Sequence, residues 1–204
     1  MHRILRRLAE GETVVWVAEG ERELGFITLR DQPNPTAPAA VAALGALGIT
    51  ATLLSGDDPA TTTAVARAIG LDESEGGVAP EAKAARILDR QARGDRVAMV
   101  GDGANDGPAL AQADVSFTAA GGTDIAAETS DIVLLRRDLT LVPRFIELSR
   151  KVRGIVRENL WWAFAYNAVA VPVAALGLLT PAFAAVTMSV SSLVVVLNSL
   201  RLRR

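Results

Sequence analysis

Arg96-Val-Ala-Met-Val-Gly-Asp-Gly-Ala-Asn-Asp-Gly-Pro108 is an apolar run that stops abruptly in a glycine- and acid-rich loop. A short apolar run bounded by turn residues reads as a buried strand. A tight turn needs glycine and one Asn or Asp, so turning alone does not account for Asp102, Asn105 and Asp106 standing so close together. Glycine lets backbone N–H groups approach an anion, and the carboxylates suit a hard cation such as Mg²⁺, which takes few carboxylates plus phosphate oxygens and water. On the C-terminal side, Pro108–Ala113 reads as a short helix and Val115–Thr118 as a strand. Asp124–Thr129 reads as a helical turn and Asp131–Leu135 as a strand.

On the N-terminal side, Pro80–Arg93 reads as a helix, and residues 59–69 as another that stops at Gly70. Ile49–Leu54 is an apolar strand leading into a second acidic glycine loop, Ser55-Gly-Asp-Asp58. Residues 38–47 read as a helix ending at Gly48, after a proline-rich break over Asp31–Pro38. Thr13–Ala18 and Leu24–Leu29 read as two strands joined by a short charged turn. Strands alternating with helices indicate an α/β fold with a parallel sheet covered on both faces. Ligands of such sheets bind beyond the carboxyl ends of the strands, where both acidic loops fall. Lys83, on the helix between them, can supply positive charge to a phosphoryl group. Taken singly, the features read otherwise: Ser55–Asp58 equally well as a helix-capping turn, and Lys83 as a solvated helix residue. In this order they favour Mg²⁺-dependent phosphoryl transfer.

The 204-residue composition sets limits. Half the residues are hydrophobic, the net charge is −2, and the mean hydropathy is +0.28, as expected for a polar part joined to a strongly apolar one. The near-neutral charge excludes a nucleic-acid binder driven by bulk positive charge. Zero cysteines exclude disulfides, thiolate metal sites and cysteine nucleophiles, and one histidine (His2) leaves no histidine-built site. No secretory signal follows Met1.

The apolar excess lies from Asn159 to Leu200, where no side chain is charged. A span needs ~20 apolar residues, so this length suits two, read as helices over roughly 158–177 and 181–200 with a break at Gly177–Pro181. Arg144, Arg150, Lys151, Arg153 and Arg157 precede it, and Arg201, Arg203 and Arg204 follow it. Basic residues at both ends and none at the turn predict a multi-pass segment of the cell membrane, with both ends cytoplasmic. Trp161 and Trp162 fall where an interfacial aromatic belt belongs. The alternative, a buried hairpin of a soluble protein, requires a small domain to bury two helices that are apolar all round.

Met99-Val-Gly-Asp-Gly-Ala-Asn-Asp-Gly-Pro-Ala-Leu110 resembles the hinge motif G-D-G-x-N-D-x-P of P-type ATPases. Leu54-Ser-Gly-Asp57 resembles that family's T-G-D loop, and Pro80-Glu-Ala-Lys83 its P-x-x-K. Gly121–Ala126 through Ser130–Leu135 is similar to the stretch after the hinge. The resemblance implies a haloacid-dehalogenase-like Rossmannoid parallel sheet followed by a two-helix transmembrane hairpin. It divides the chain into the tail of a nucleotide-binding domain (1–30), the C-terminal part of a phosphorylation domain (31–145), and a membrane-entering helix with two spans (146–204).

Carried over residue by residue, the resemblance makes Asp102 the Mg²⁺ ligand, with Asn105 and Asp106 ordering the loop and Gly101 and Gly103 as cofactor-binding positions. Ser55 stands for the threonine that hydrogen-bonds phosphoryl oxygens, Asp57 supports its loop, and Lys83 neutralises phosphoryl charge. Asp58, where asparagine is common, adds negative charge. Tyr166-Asn167 and Met188-Ser-Val-Ser-Ser192 look like the Y-N and M-x-x-S-S motifs of copper(I)-type heavy-metal ATPases. Met188, Ser191 and Ser192 share a helical face, and a thioether is a soft ligand suited to Cu⁺. By themselves Met188, Ser191 and Ser192 favour gap filling and close helix approach, and Tyr166-Asn167 in the partner helix turns the reading toward metal transport.

The implied activity is ATP-driven export of Cu⁺ (or Ag⁺), with Mg²⁺ and ATP as cofactors, membrane lipid as surroundings, and no nucleic-acid partner. The phosphorylated aspartate of D-K-T-G-T does not occur in this sequence, nor do C-P-C, T-G-E or the histidine-containing nucleotide motif. The expectation is therefore a C-terminal fragment that neither pumps nor turns over ATP alone, and that works with the remainder of the pump. Two alternatives are a stand-alone membrane-anchored regulatory or binding module derived from such a pump, and a membrane-anchored dehalogenase-like phosphatase. The phosphatase needs a D-x-D/T nucleophile that Asp31-Gln-Pro-Asn34 does not match.

Overall fold

The computed structural model describes residues 13–20, 22–29, 32–101, 104–119, 128 and 130–203. Asp31, Asp102, Gly103, Arg204 and all but one residue of the expected helical turn 124–129 lie outside them. The chain divides into two compact units, Met1–Pro143 and Arg144–Arg204.

In the first unit, β1 (Thr13–Glu19) and β2 (Arg22–Leu29) form an antiparallel hairpin, with Trp16 packed edge-on against Phe26 at 5.9 Å. α1 (Ala37–Ala46) follows the proline-rich break and buries Ala37 and Ala40. β3 (Thr52–Leu54) is shorter than the apolar run that announces it and pairs in parallel with β4 (Glu73–Glu75). Between them lies α2 (Pro59–Ile69), which ends on Gly70 at φ +82°, a left-handed stop that glycine adopts without strain. α3 (Pro80–Ala92) leads to β5 (Ala98–Gly101), and a single 3₁₀ turn (Ala104–Asp106) opens α4 (Gly107–Gln112). β5, β6 (Val115–Thr118) and β7 (Ile132–Val133) make a parallel sheet in that order.

The core gathers around Leu110, Phe117 and Ala109, each at most 1% exposed. Coverage is less complete than the sequence suggests. Val100, Val115 and Val133 remain 36–45% exposed, because α4 is the short helix that packs on β5 and β6. Polar clasps fix the ends. Asp131 accepts from the Ser116 N–H and hydroxyl, both at 2.9 Å. Thr36 Oγ1 accepts from the Leu139 N–H at 2.9 Å, and Asn34 Nδ2 donates to the Arg137 carbonyl at 3.1 Å, joining segments about a hundred residues apart.

The second unit is a helical hairpin. α5 (Leu141–Ala175) is one continuous helix, so the basic residues 144–157 run into the apolar half without a break, as the sequence suggests. Gly177 at φ +73° ends it in a Schellman turn, with Leu178 N–H bonded to the Val173 carbonyl. Thr180 then caps α6 (Pro181–Ser199). Asn159 Nδ2 donates to Ser199 Oγ at 3.0 Å, and Asn198 Nδ2 donates to Asn159 Oδ1 at 2.9 Å, so the helices are pinned at their open end. Among the described residues one helix, Pro181–Arg203 with its terminal 3₁₀ turn, is long and apolar enough to cross a membrane. Pro172, Tyr166, Asn167 and the two tryptophans lower the hydropathy of the α5 half.

Candidate functional site

The Ser55 loop is built by β3 and β4. Their parallel pairing continues into it, with Ser55 N–H bonded to the Glu75 carbonyl at 3.0 Å and Val78 N–H to the Ser55 carbonyl at 2.9 Å. The Ser55 hydroxyl donates to Asp57 Oδ2 at 2.9 Å and accepts the Asp57 N–H at 3.2 Å. Asp57 thus holds the hydroxyl proton, so Ser55 has a lone pair and no proton to offer until it rotates. Asp58 also has a structural part. It is the N-cap of α2, accepting from Ala60 N–H at 2.8 Å, Thr61 N–H at 3.3 Å and the Thr61 hydroxyl. These bonds, the Thr61 hydroxyl first, lower its pKa. The last residue of the tetrapeptide is therefore the helix cap that the sequence equally allows.

Val78 stands two residues before α3 begins, and Lys83 lies in that helix's first turns. Lys83 Nζ pairs with Asp106 Oδ1 at 2.8 Å, the two side chains each 13% exposed. The P-x-x-K segment and the hinge segment thus meet directly. Asp106 also packs on Gly101. A Cβ placed there would meet Asp106 Cβ at 2.9 Å, Oδ2 at 3.0 Å and Cγ at 3.3 Å. This close approach explains glycine at that position. Asn105 is exposed beside the pair. Asp102 and Gly103 lie outside the described residues, between the strand end and this turn.

Sequence reasoning passed over Gly76. A Cβ there would meet Pro59 Cα at 2.6 Å, Thr62 Oγ1 at 2.7 Å and the Asp57 carbonyl at 2.9 Å, so Gly76 sets how closely the 75–78 segment lies against the Ser55 loop. Arg86 grips Glu75 through Nε at 2.9 Å, steadying the same segment from α3 and lowering the Glu75 pKa. The Gly76-Gly77 pair before a proline-started helix was the available signal.

Among the described residues no three His, Cys, Asp or Glu side chains cluster as a metal cage.

In the hairpin, Tyr166, Asn167 and Met188 line one groove of about 330 Å³ together with small residues of both helices. The Tyr166 hydroxyl shares a hydrogen bond with Thr187 Oγ1 at 3.0 Å, and Met188 is 66% exposed. Ser191 and Ser192 do not line this groove.

A family model described as haloacid dehalogenase-like hydrolase matches residues 2–114. The copper-exporting P-type ATPase of Mycobacterium tuberculosis (strain ATCC 25618 / H37Rv) is 46% identical over 204 residues, 99% of this chain and 27% of that protein. The copper-exporting P-type ATPase of Staphylococcus haemolyticus (strain JCSC1435) is 42% identical over 96% of this chain and 25% of its own length. The crystal structure of a zinc-transporting PIB-type ATPase in the E2.Pi state superposes with a TM-score of 0.86 at 32% identity, covering 100% of this chain and 33% of that one. The chain spans about a quarter of the length of the curated relatives it matches.

Proposed function

We propose, on the premise that the chain belongs to the haloacid dehalogenase-like hydrolase family, that it supplies the phosphate-binding loops and part of the metal path of an ATP-driven, Cu⁺-exporting P-type ATPase. The observation that carries this reading is the Lys83–Asp106 pair at 2.8 Å, which joins two motifs 23 residues apart in a shielded corner. A cation held by a buried aspartate has its charge and position fixed before any phosphoryl group arrives, and such preorganisation is most of what phosphoryl transfer requires.

In this reading Mg²⁺ is held by Asp102 and, when bound, neutralises phosphate charge. Asp106 orients the Lys83 ammonium, and Asn105 orders the exposed side of the turn. Gly101 leaves room for Asp106, and Gly103 keeps the loop backbone open to the ligand. Ser55 turns its hydroxyl from Asp57 to a phosphoryl oxygen, and Asp57 supports the loop that carries it. ATP is the phosphoryl donor, and the acceptor carboxylate belongs to a D-K-T-G-T segment that these 204 residues do not contain.

The hairpin lies in the cell membrane with both ends cytoplasmic, and both helices cross it. Cu⁺ is the cargo. Met188 offers it a thioether from the groove shared with Tyr166 and Asn167, Ser191 and Ser192 support that helix face, and further ligands come from other spans. The phosphatase and stand-alone module are not favoured, since the similarity to pumps extends over nearly all of the chain. The test is a chimera in which this chain replaces the matching C-terminal quarter of a copper-exporting relative, reconstituted in vesicles. ATP hydrolysis stimulated by Cu⁺ and weakened by Met188→Ala supports the proposal. Stimulation by Zn²⁺ alone overturns the assignment of cargo, and no metal-stimulated hydrolysis overturns the whole.

A further inference from the structure

The hairpin carries a second concavity of about 540 Å³, lined chiefly by Arg157, Glu158, Trp161, Trp162, Asn198 and Arg201. It sits where the uncharged stretch meets its basic flanks. Arg201 donates to Glu158 Oε2 at 2.9 Å and to Asn198 Oδ1 at 2.8 Å, and Glu158 also accepts from Asn198 Nδ2 at 3.1 Å. The Arg201 charge is therefore already matched by a carboxylate. Arg157 has no hydrogen bond or ion pair among the described residues, and its guanidinium is left over in the concavity. Beside it Trp161 and Trp162 stay 67% and 51% exposed, edge to face with ring centroids 6.1 Å apart.

We propose that this concavity binds the headgroup of an anionic phospholipid, with Arg157 taking the phosphate and the two indoles lying at headgroup level. The proposal rests on the membrane reading of the hairpin. The planar guanidinium fork matches phosphate bidentately. Indoles favour the membrane–water boundary, and basic pockets between helices at that depth hold acidic headgroups. The volume is in the range of a small-ligand pocket. Leu160, Phe164, Leu193 and Leu197 are all more than half exposed on the adjoining helix surfaces, where acyl chains would lie. A free phosphate or an acidic peptide makes no use of that apolar flank, and this favours a lipid.

The experiment uses the full chain carrying Trp16→Phe, so that Trp161 and Trp162 alone report. It is placed in phosphatidylcholine vesicles containing equal mole fractions of either acyl-brominated phosphatidylcholine or acyl-brominated phosphatidylglycerol. Quenching by the anionic lipid should be about fivefold stronger, the ratio corresponding to about 1 kcal/mol per basic residue. The preference should vanish in Arg157→Gln, a substitution between good helix formers, and return only in part in Arg157→Lys, which keeps the charge without the bidentate fork; circular dichroism verifies the helices. Equal quenching by both lipids, or a preference that survives in Arg157→Gln, overturns the proposal. Loss of preference on adding millimolar inorganic phosphate overturns the lipid assignment. Quenching by neither lipid refutes the membrane reading itself, an outcome distinct from the others.

Discussion

Replacing Gly101 with alanine isolates the packing on which the Lys83–Asp106 pair depends. The new Cβ meets Asp106 Cβ at 2.9 Å, Oδ2 at 3.0 Å and Cγ at 3.3 Å. Carbon atoms rest at about 3.5–4.0 Å, so Asp106 must withdraw by roughly 0.6 Å. It has nowhere to go, being 9% exposed and held by Lys83 at 2.8 Å. Moving away by that much stretches the pair past the ~3.2 Å limit of a good hydrogen bond. Overpacking of this kind costs about 1–3 kcal/mol. Gly101 does not adopt a positive φ, so alanine adds no backbone strain and returns roughly 0.4–1 kcal/mol by restricting the unfolded chain. The clash wins, leaving a net loss of about 1–2 kcal/mol, or roughly 1 M in the urea midpoint. Urea unfolding in detergent, followed by circular dichroism, reads this directly. In an Asp106→Gly background all three contacts vanish and the same substitution should become neutral or mildly stabilising. An unchanged midpoint in the parent chain, or an equal loss in both backgrounds, refutes the reasoning.

The remaining expectations concern other parts of the fold. Gly76→Ala sets a Cβ 2.6 Å from Pro59 Cα, a backbone atom that cannot swing aside, so amide exchange at Ser55 and Val78 should accelerate; unchanged protection there contradicts the close approach. The Asp114 carboxylate is held at a pKa of about 2, first by the Val97 N–H at 2.9 Å, then by Gln91 and Arg96. A folded pKa below the ordinary 3.8 means these bonds contribute fully above about pH 4 and fade as pH falls toward about 2. Asp114→Asn should therefore make the loss of stability over that window shallower, and an identical pH slope counts against it. Asn159→Ala removes the bonds to Ser199 and Asn198 and should loosen the hairpin by about 1 kcal/mol in a denaturing-detergent titration, since interhelical hydrogen bonds in membranes average roughly 0.6 kcal/mol each. No shift in that titration removes the hairpin's polar pin from the account.

Legibility in the sequence followed the kind of force involved. The hinge strand, α2, α3 and the two long helices were readable because apolar period, prolines at helix starts and glycines at helix ends all act within a few residues. β4 was not, because Glu73-Ser-Glu75 has no apolar pattern and is a strand only through pairing with Thr52–Leu54. The same limit hid what Asp58 and Asp106 do. Both are acidic and near glycine, yet one caps a helix and the other holds Lys83, and a tertiary contact separates the roles. Gly76 was visible as a glycine, but the reason for it is the backbone of Pro59 and Asp57 lying against it. In the hairpin, helical spacing joined Met188 with Ser191 and Ser192, whereas the groove joins Met188 with Tyr166 and Asn167 across the two helices.

The most direct test is acid-stable labelling with γ-³²P-ATP and Mg²⁺, performed on this chain alone and on the chain joined to a nucleotide-binding and D-K-T-G-T-bearing segment from a copper-exporting relative. The chain alone should take up no label, while the joined protein should form a hydroxylamine-labile acyl-phosphate that falls at least tenfold in Lys83→Met. Labelling of the isolated chain, or a joined protein whose labelling ignores Lys83, would contradict the account.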